Sequence, residues 1–255
     1  MKNLKQRLLN GETLNGCWLN LGSAVTAEIV GLSGFDWVLI DLEHGAGSES
    51  TTLSQIQALE HTSAGVIVRA ESTEPQRIHR VLDMGAEGVM CPKVRNAEEA
   101  LKVVKGLHYP PFGNRGVAKM VRATQFAQNF NDYYQKSRDQ ILGVVQIETI
   151  EVLSHLDEVA AIEGVDVLFI GPADLSMELG IFGQFDHPVF VEALNKIVAA
   201  AKKANKAVGI LFFNPDDYQR YHNLGIRFLA CGADATFVAE GARTMAGKMS
   251  KFRNP

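Results

Sequence analysis

The chain has little of what marks several large protein classes. It has only three cysteines in 255 residues: Cys17, Cys91 and Cys231. Their odd number and wide spacing argue against a disulfide scaffold, and no CxxC or Cys/His pattern suggests structural zinc. Cys91 and Cys231 fall inside strand-like runs, so buried thiols in a reducing cytoplasm are the expected reading. No apolar run is long enough to span a bilayer, and the polar start Met1-Lys-Asn-Leu-Lys-Gln-Arg7 does not look like a secretory signal. Neither charge sign dominates: 25 Lys and Arg stand against 29 Asp and Glu, a net charge of −4. Nothing there favours nucleic acid or an anionic membrane surface. No Gly-rich phosphate fingerprint is visible, since Gly22-Ser-Ala-Val25 after the first strand pattern is not GxGxxG. There is also no linker, repeat or low-complexity segment, so one domain over residues 1–255 is expected.

What the chain does have is 46 % apolar residues in a regular rhythm. Apolar runs suited to strands occur at Gly16–Gly22, Trp37–Glu43, Gly65–Ala70, Gly88–Val94, Ile141–Glu148, Val165–Gly171, Ala207–Phe213 and Phe228–Gly232. Helical patterns alternate with them, from Ala24–Ser33 to Thr236–Lys251. Near-continuous apolar strands separated by helices imply a parallel sheet covered on its faces. Eight such units match a (β/α)8 TIM barrel. One stretch, Gly106–Phe126, breaks the rhythm. It is read as a lid or subunit-contact segment on the catalytic side, or else as an ordinary solvated excursion.

Polar residues at the ends of buried strands carry the chemical signal. Ile141-Leu-Gly-Val-Val-Gln-Ile147 runs into Glu148, and Val165-Asp-Val-Leu-Phe-Ile170 runs through Gly171-Pro172-Ala173 into Asp174. Parallel α/β folds place ligands at the carboxyl ends of their strands. Two hard oxygen donors on adjacent strand ends suit a divalent cation. Gln146 shares the strand parity of Glu148 and would be its polar neighbour.

The second strand ends in Asp41-Leu42-Glu43-His44, followed by Gly45-Ala-Gly47. His44 beside acids is a candidate general base, with Asp41 and Glu43 as secondary candidates. Arg69, ending the third strand, reads equally as a fork for a substrate carboxylate or as an internal ion-pair partner. Asp83 ends a helix, where its charge opposes the macrodipole, so a tertiary partner such as His44 or Arg69 is expected. Lys93 closes the fourth strand as either a Schiff-base nucleophile or a solvated surface lysine. Lys119 and Arg122 in the long stretch hint at a second anionic group on the substrate.

Taken together, Gly34-Phe-Asp-Trp-Val-Leu-Ile-Asp-Leu-Glu-His44, Val68-Arg69, Val81-Leu-Asp-Met-Gly85, Tyr109-Pro-Pro-Phe-Gly-Asn-Arg-Gly116, Gln146-Ile-Glu-Thr149 and Phe169-Ile-Gly-Pro-Ala-Asp-Leu-Ser176 resemble the class II pyruvate aldolases of the HpcH/HpaI group over essentially the whole chain. The resemblance implies a TIM barrel in a hexamer of swapped dimers, with the C-terminal helix exchanged. It implies reversible retro-aldol cleavage of a 4-hydroxy-2-oxo acid to pyruvate, or a close 2-oxo acid, and an aldehyde, with Mg2+, Mn2+ or Co2+. By motif, Glu148 and Asp174 would be metal ligands and His44, paired with Asp83, the base. Arg69 would neutralise the pyruvate oxygens. Gly171, Pro172 and Ala173 would cradle the carboxylate, with Gln146 beside the substrate. Leu42 and Gly45-Ala-Gly47 depart from some members and border the aldehyde side. The alternatives are an acyl-CoA lyase of citramalyl or malyl type on the same metal site, and a Schiff-base aldolase through Lys93.

Overall fold

A computed structural model describes residues 2–252. Eight parallel strands close into a barrel, each hydrogen-bonded to its sequence neighbours, with β8 returning to β1. They are β1 (Leu14–Leu19), β2 (Trp37–Asp41), β3 (Gly65–Arg69), β4 (Gly88–Cys91), β5 (Leu142–Ile147), β6 (Val167–Ile170), β7 (Ala207–Phe212) and β8 (Phe228–Ala233). Around them run α1 (Leu4–Leu9), α2 (Ala24–Leu32), α3 (Glu49–Ala58), α4 (Pro75–Asp83), α5 (Ala97–Leu107), α6 (Phe130–Gln140), α7 (Leu156–Ala161), α8 (Pro172–Glu178), α9 (Pro188–Lys203), α10 (Tyr218–Asn223) and α11 (Asp234–Ser250). All eight strand patterns form strands. Three helices, α1, α6 and α8, form where no helical pattern is read.

The strands form because both of their faces find apolar partners. Outward residues such as Val38, Val68 and Leu168 pack under the helices. Inward residues fill the barrel, chiefly Leu14, Trp18, Trp37, Leu39, Ile67, Met90, Val144, Phe169 and Phe228. Large and small residues alternate across the interior. A Cβ on Gly16 would lie 2.1 Å from the Trp37 ring, and one on Gly209 would lie 2.4 Å from Phe169. Trp37 stacks on Phe228 at 3.9 Å between ring centroids. Leu4 and Leu8 of α1 plug the amino-terminal end. The same inward parity, continued one step past this packed core, delivers Asp41, Arg69, Gln146 and Glu148 to the carboxyl end.

The structure corrects the placement of the long excursion. Gly106–Phe126 follows α5, not β4 directly, so the chain has already returned to the amino-terminal end of the barrel. Asn114 N–H donates to Lys105 C=O there. Arg122 donates to Met84 C=O at 3.2 Å and pairs with Glu60 at 2.8 Å. These contacts hold Arg122 at the end opposite the strand tips, so within one chain it does not meet the substrate's second anionic group. Lys119 lies in the same excursion, over the Phe130 ring at 5.0 Å.

Candidate active site

Asp41 organises the carboxyl end of β2 and β3. Its carboxylate accepts from Arg69 Nε at 2.8 Å and Nη2 at 2.7 Å, a two-toothed fork. It also accepts from Asn20 Nδ2 at 2.9 Å and from the Glu43 and His44 amides. Arg69 Nη1 lies 2.9 Å from Glu43. Arg69 is thus the internal ion-pair partner that its sequence position allowed. Burial disfavours its charge, but Asp41, then Glu43 and Glu148, hold its pKa above the ordinary arginine value. A guanidinium has five N–H donors, and three of these are engaged, so two remain for a ligand.

The tight Asp41–Gly47 turn depends on glycine. A Cβ on Gly45 would lie 2.1 Å from Asp41 C=O. The turn lifts His44 into solvent, with its side chain 62 % exposed and Nε2 3.7 Å from Glu43 Oε1.

Glu148 and Asp174 approach from the ends of β5 and β6. Glu148 is buried, and its Oε1 accepts from Lys93 N–H at 2.7 Å. Its carboxyl is pushed up to about 7, first by burial and then by Asp174 and Glu43, against the downward pull of the Lys93 bond and Arg69. Crowded acids around a buried carboxylate create a demand for positive charge. Gln146 adds a buried Oε1 with no hydrogen-bond partner. Gly171 leaves a bare patch beside both, where a Cβ would meet Glu148 Oε2 at 2.4 Å and Gln146 Nε2 at 2.9 Å. Pro172, Ala173 and Asp174 form the first turn of α8, where backbone N–H groups lack partners within the helix. Hard oxygens with unused acceptor capacity fit a divalent ion such as Mg2+ or Mn2+. Among the described residues, no cluster of three or more His, Cys, Asp or Glu forms an all-protein cage. A metal here would be held by two carboxylates, with substrate and water completing its sphere.

Two expected pairings do not form within the chain. Asp83 lies at the carboxyl end of α4, which runs back to the amino-terminal end of the barrel, so it cannot reach His44 or Arg69 of its own chain. Its partner is Arg115, at 2.7 Å. Arg115 is enclosed by Tyr109, Tyr133 and Asp83, donating to Tyr133 Oη at 2.9 Å. Lys93 is 64 % exposed beside Glu43, whereas nucleophilic lysines are desolvated or flanked by cations.

Sequence reasoning missed Asn20. Its amide N–H donates to Asp234 at 2.7 Å, while its side chain donates to Asp41. The available signal was its parity with Gly16 and Trp18, one step beyond β1.

Comparisons with known proteins identify the family of the chain. A family model described as HpcH/HpaI aldolase/citrate lyase matches residues 14–240. A 4-hydroxy-2-oxo-heptane-1,7-dioate aldolase of Shigella flexneri is 39 % identical over 96 % of this chain and 91 % of its own. The same-named protein of Escherichia coli is 38 % identical over 96 % and 93 %. An HpcH/HpaI aldolase/citrate lyase family protein of Burkholderia cenocepacia J2315 superposes with a TM-score of 0.92 at 35 % identity, covering 98 % of this chain and all of its own. The citrate synthase SbnG superposes at 0.89 with 26 % identity over the full length of both chains. The chain therefore belongs to the HpcH/HpaI aldolase/citrate lyase family.

Proposed function

We propose that the protein is a divalent-metal-dependent aldolase that reversibly cleaves a 4-hydroxy-2-oxo acid to pyruvate, or a close 2-oxo acid, and an aldehyde. The observation that carries this reading is the convergence of Glu148 and Asp174 beside Gln146, whose side chain abuts the bare face of Gly171 and whose Oε1 has no partner. The relatives named as aldolases support the reaction class.

Glu148 and Asp174 would hold Mg2+, Mn2+ or Co2+, with Lys93 N–H fixing the orientation of Glu148. When bound, the ion supplies Lewis acidity toward the 2-oxo group. Arg69, locked by Asp41, aims its remaining N–H donors at the oxygens where enolate charge develops. His44 takes the proton of the 4-hydroxyl. The C3–C4 bond then breaks, its electron pair passes to the enolate, and the aldehyde departs. Protonation at C3, balanced by release of the proton held on His44, completes pyruvate and restores the base. Gly171, Pro172 and Ala173 shape the carboxylate end, and Glu43 and Leu42 border the aldehyde side. A His44–Asp83 pair would require two copies of the chain, because the two residues stand at opposite ends of one barrel.

We also infer a homo-oligomer with the C-terminal helix exchanged, up to a hexamer. Only Asp234 of α11 is buried, and Phe237, Val238, Met245 and Met249 face solvent in a single copy. The cytoplasmic reading rests on three free thiols. Among the described residues no helix is long and apolar enough to cross a membrane.

The test is a pyruvate-release screen over 4-hydroxy-2-oxo acids with added Mg2+ or Mn2+ and a chelator arm. Release that is abolished by chelator and restored by metal is expected. Chelator-resistant release with a borohydride-trapped Lys93 adduct would overturn the metal reading. Turnover of a malyl- or citramalyl-type thioester instead of the free oxo acid would favour the lyase alternative.

A further inference from the structure

Lys93 is the residue at the mouth whose conformation is hardest to explain on structural grounds alone. Its backbone lies in the left-handed region, φ 54°, which disfavours side chains and suits glycine. The turn is needed, because it aims Lys93 N–H at Glu148 Oε1, 2.7 Å away. Glycine would make the same bond without the steric penalty. A long cationic side chain in that position therefore asks for a use of its own.

Its surroundings suggest one. The ammonium stands 3.7 Å from Glu43 Oε1, beyond hydrogen-bond distance, on a side chain that is 64 % exposed. Glu43 is already engaged by Arg69 Nη1 at 2.9 Å through its other oxygen. Arg69 in turn is nearly enclosed and committed to two acids. Lys93 thus carries a loosely held positive charge at the rim, on a residue whose own amide touches the proposed metal ligand.

Distance then selects the ligand. A lysine Nζ reaches roughly 6 Å from its Cα. In an extended seven-carbon 2-oxo dioic acid, the far carboxylate also lies about 6 Å from the 2-oxo carbon. Both lengths start from Glu148, which Lys93 N–H touches at 2.7 Å, so a substrate whose 2-oxo end sits at Glu148 and Asp174 has a far end that matches the reach of Nζ.

From this geometry we infer that Lys93 is a specificity-determining residue, whose ammonium receives a second carboxylate on the aldehyde half of a dioic substrate. The inference rests on the aldolase reading for the placement of the 2-oxo end. It assigns no covalent role to Nζ, and no proton moves at this residue.

The test compares wild type, Lys93→Met and Lys93→Arg on two substrates that differ only at the far end, 4-hydroxy-2-oxoheptanedioate and 4-hydroxy-2-oxoheptanoate. The readout is the ratio of the two kcat/KM values, which cancels any disturbance of Glu148 common to both substrates. Wild type should favour the dioic acid. Lys93→Met should lower the ratio about fivefold, as expected for a solvent-exposed ion pair, with the change carried in KM. Lys93→Arg should restore it, and added salt should erode it. A ratio unchanged in Lys93→Met overturns the inference.

A binding arm keeps the result separable from turnover. Quenching of tryptophan fluorescence is titrated with 2-oxoheptanedioate and with 2-oxoheptanoate in the presence of Mg2+. Trp18 reports from beside the site, with its ring 6.0 Å from the Arg69 guanidinium. A preference for the dioic ligand that disappears in Lys93→Met supports the inference even if no hydroxy acid is cleaved, which would sink only the aldolase reading. Equal binding of both ligands by wild type overturns it.

Discussion

Replacing Gly171 by alanine adds one methyl group at the point where the site is tightest. The backbone there, φ −91° and ψ 91°, accepts an L side chain, so the perturbation is steric and not conformational. The new Cβ would stand 2.4 Å from Glu148 Oε2, 3.0 Å from Glu148 Cβ and 2.9 Å from Gln146 Nε2. Ordinary contact begins near 3.4 Å. Rotating the Glu148 carboxylate does not relieve the clash, because its Cβ is crowded too and Oε1 is tied to Lys93 N–H. The proposed ligand oxygen must retreat by about 1 Å, a displacement that can lower catalysis about 10²-fold. Folding should suffer less. Overpacking costs about 1–3 kcal/mol, offset in part by the stiffer unfolded chain.

The assay is metal-supported pyruvate release, run as a metal titration beside a thermal melt. Gly171→Ala should lose about 10²-fold in kcat/KM and need more metal, while its Tm falls by only a few degrees. Gly116→Ala is the control, since a Cβ there meets nothing within 4 Å. Wild-type activity at the wild-type metal requirement in Gly171→Ala would refute the placement of Glu148 at the reacting centre.

Three further outcomes are expected. Asp83→Ala leaves the enclosed Arg115 charge without its carboxylate and should cost about 3 kcal/mol in urea unfolding, and an unchanged midpoint would show that the pair is not structural. His108 is buried, and its pKa is lowered from 6.5 to about 4 by burial first and by nearby cations including Lys5, Arg138 and Arg115. Above pH 6.5 it is neutral in both states. Between pH 6.5 and 4 only the unfolded chain takes the proton, so stability should drain by about 3 kcal/mol, and the fall should be shallower by that amount in His108→Gln. Phe237→Asp combined with Met245→Asp should shift the species seen by light scattering to lower mass if α11 docks on another copy, and no shift would remove the exchanged-helix assembly.

The fold was legible because strands of a closed parallel barrel are buried on both faces, and each appears as a short apolar run between turns. The helices lost to reading were those whose stability comes from position and not from pattern. Among them, α6 is largely polar and buries only Tyr133 and Ser137. The helical pattern over Ala97–Lys105 already returns the chain to the amino-terminal end, so the catalytic-side reading of Gly106–Phe126 fails on chain direction alone. At the site, Asp41, Arg69, Gln146 and Glu148 were legible, because an acid, amide or guanidinium has no packing use on an inward strand position. Asn20 was not, since its role depends on a contact 214 residues away in sequence. Nor was the structural role of Lys93, which is exerted by a backbone N–H that any residue but proline carries.

Asp234 gives the site a position in time as well as in space. The first residue of α11 accepts from the Asn20 and Leu21 amides, from Thr26 Oγ1 at 2.7 Å and from Ala235 N–H. Through Asn20 it is two hydrogen bonds from Asp41 and three from Arg69. In a chain made from its amino end, Asn20, Asp41 and Arg69 are synthesised long before residue 234. Until then the β1–α2 turn lacks the acceptor that sets it, and Asn20 has no fixed direction in which to hold Asp41. The hydrogen-bond chain that ends on Arg69 is therefore complete only when the last helix is in place, although Arg69 lies in the first third of the sequence. A chain that stops short of Asp234 has every strand of the barrel in its sequence and lacks the acceptor that orients Asn20 toward Asp41.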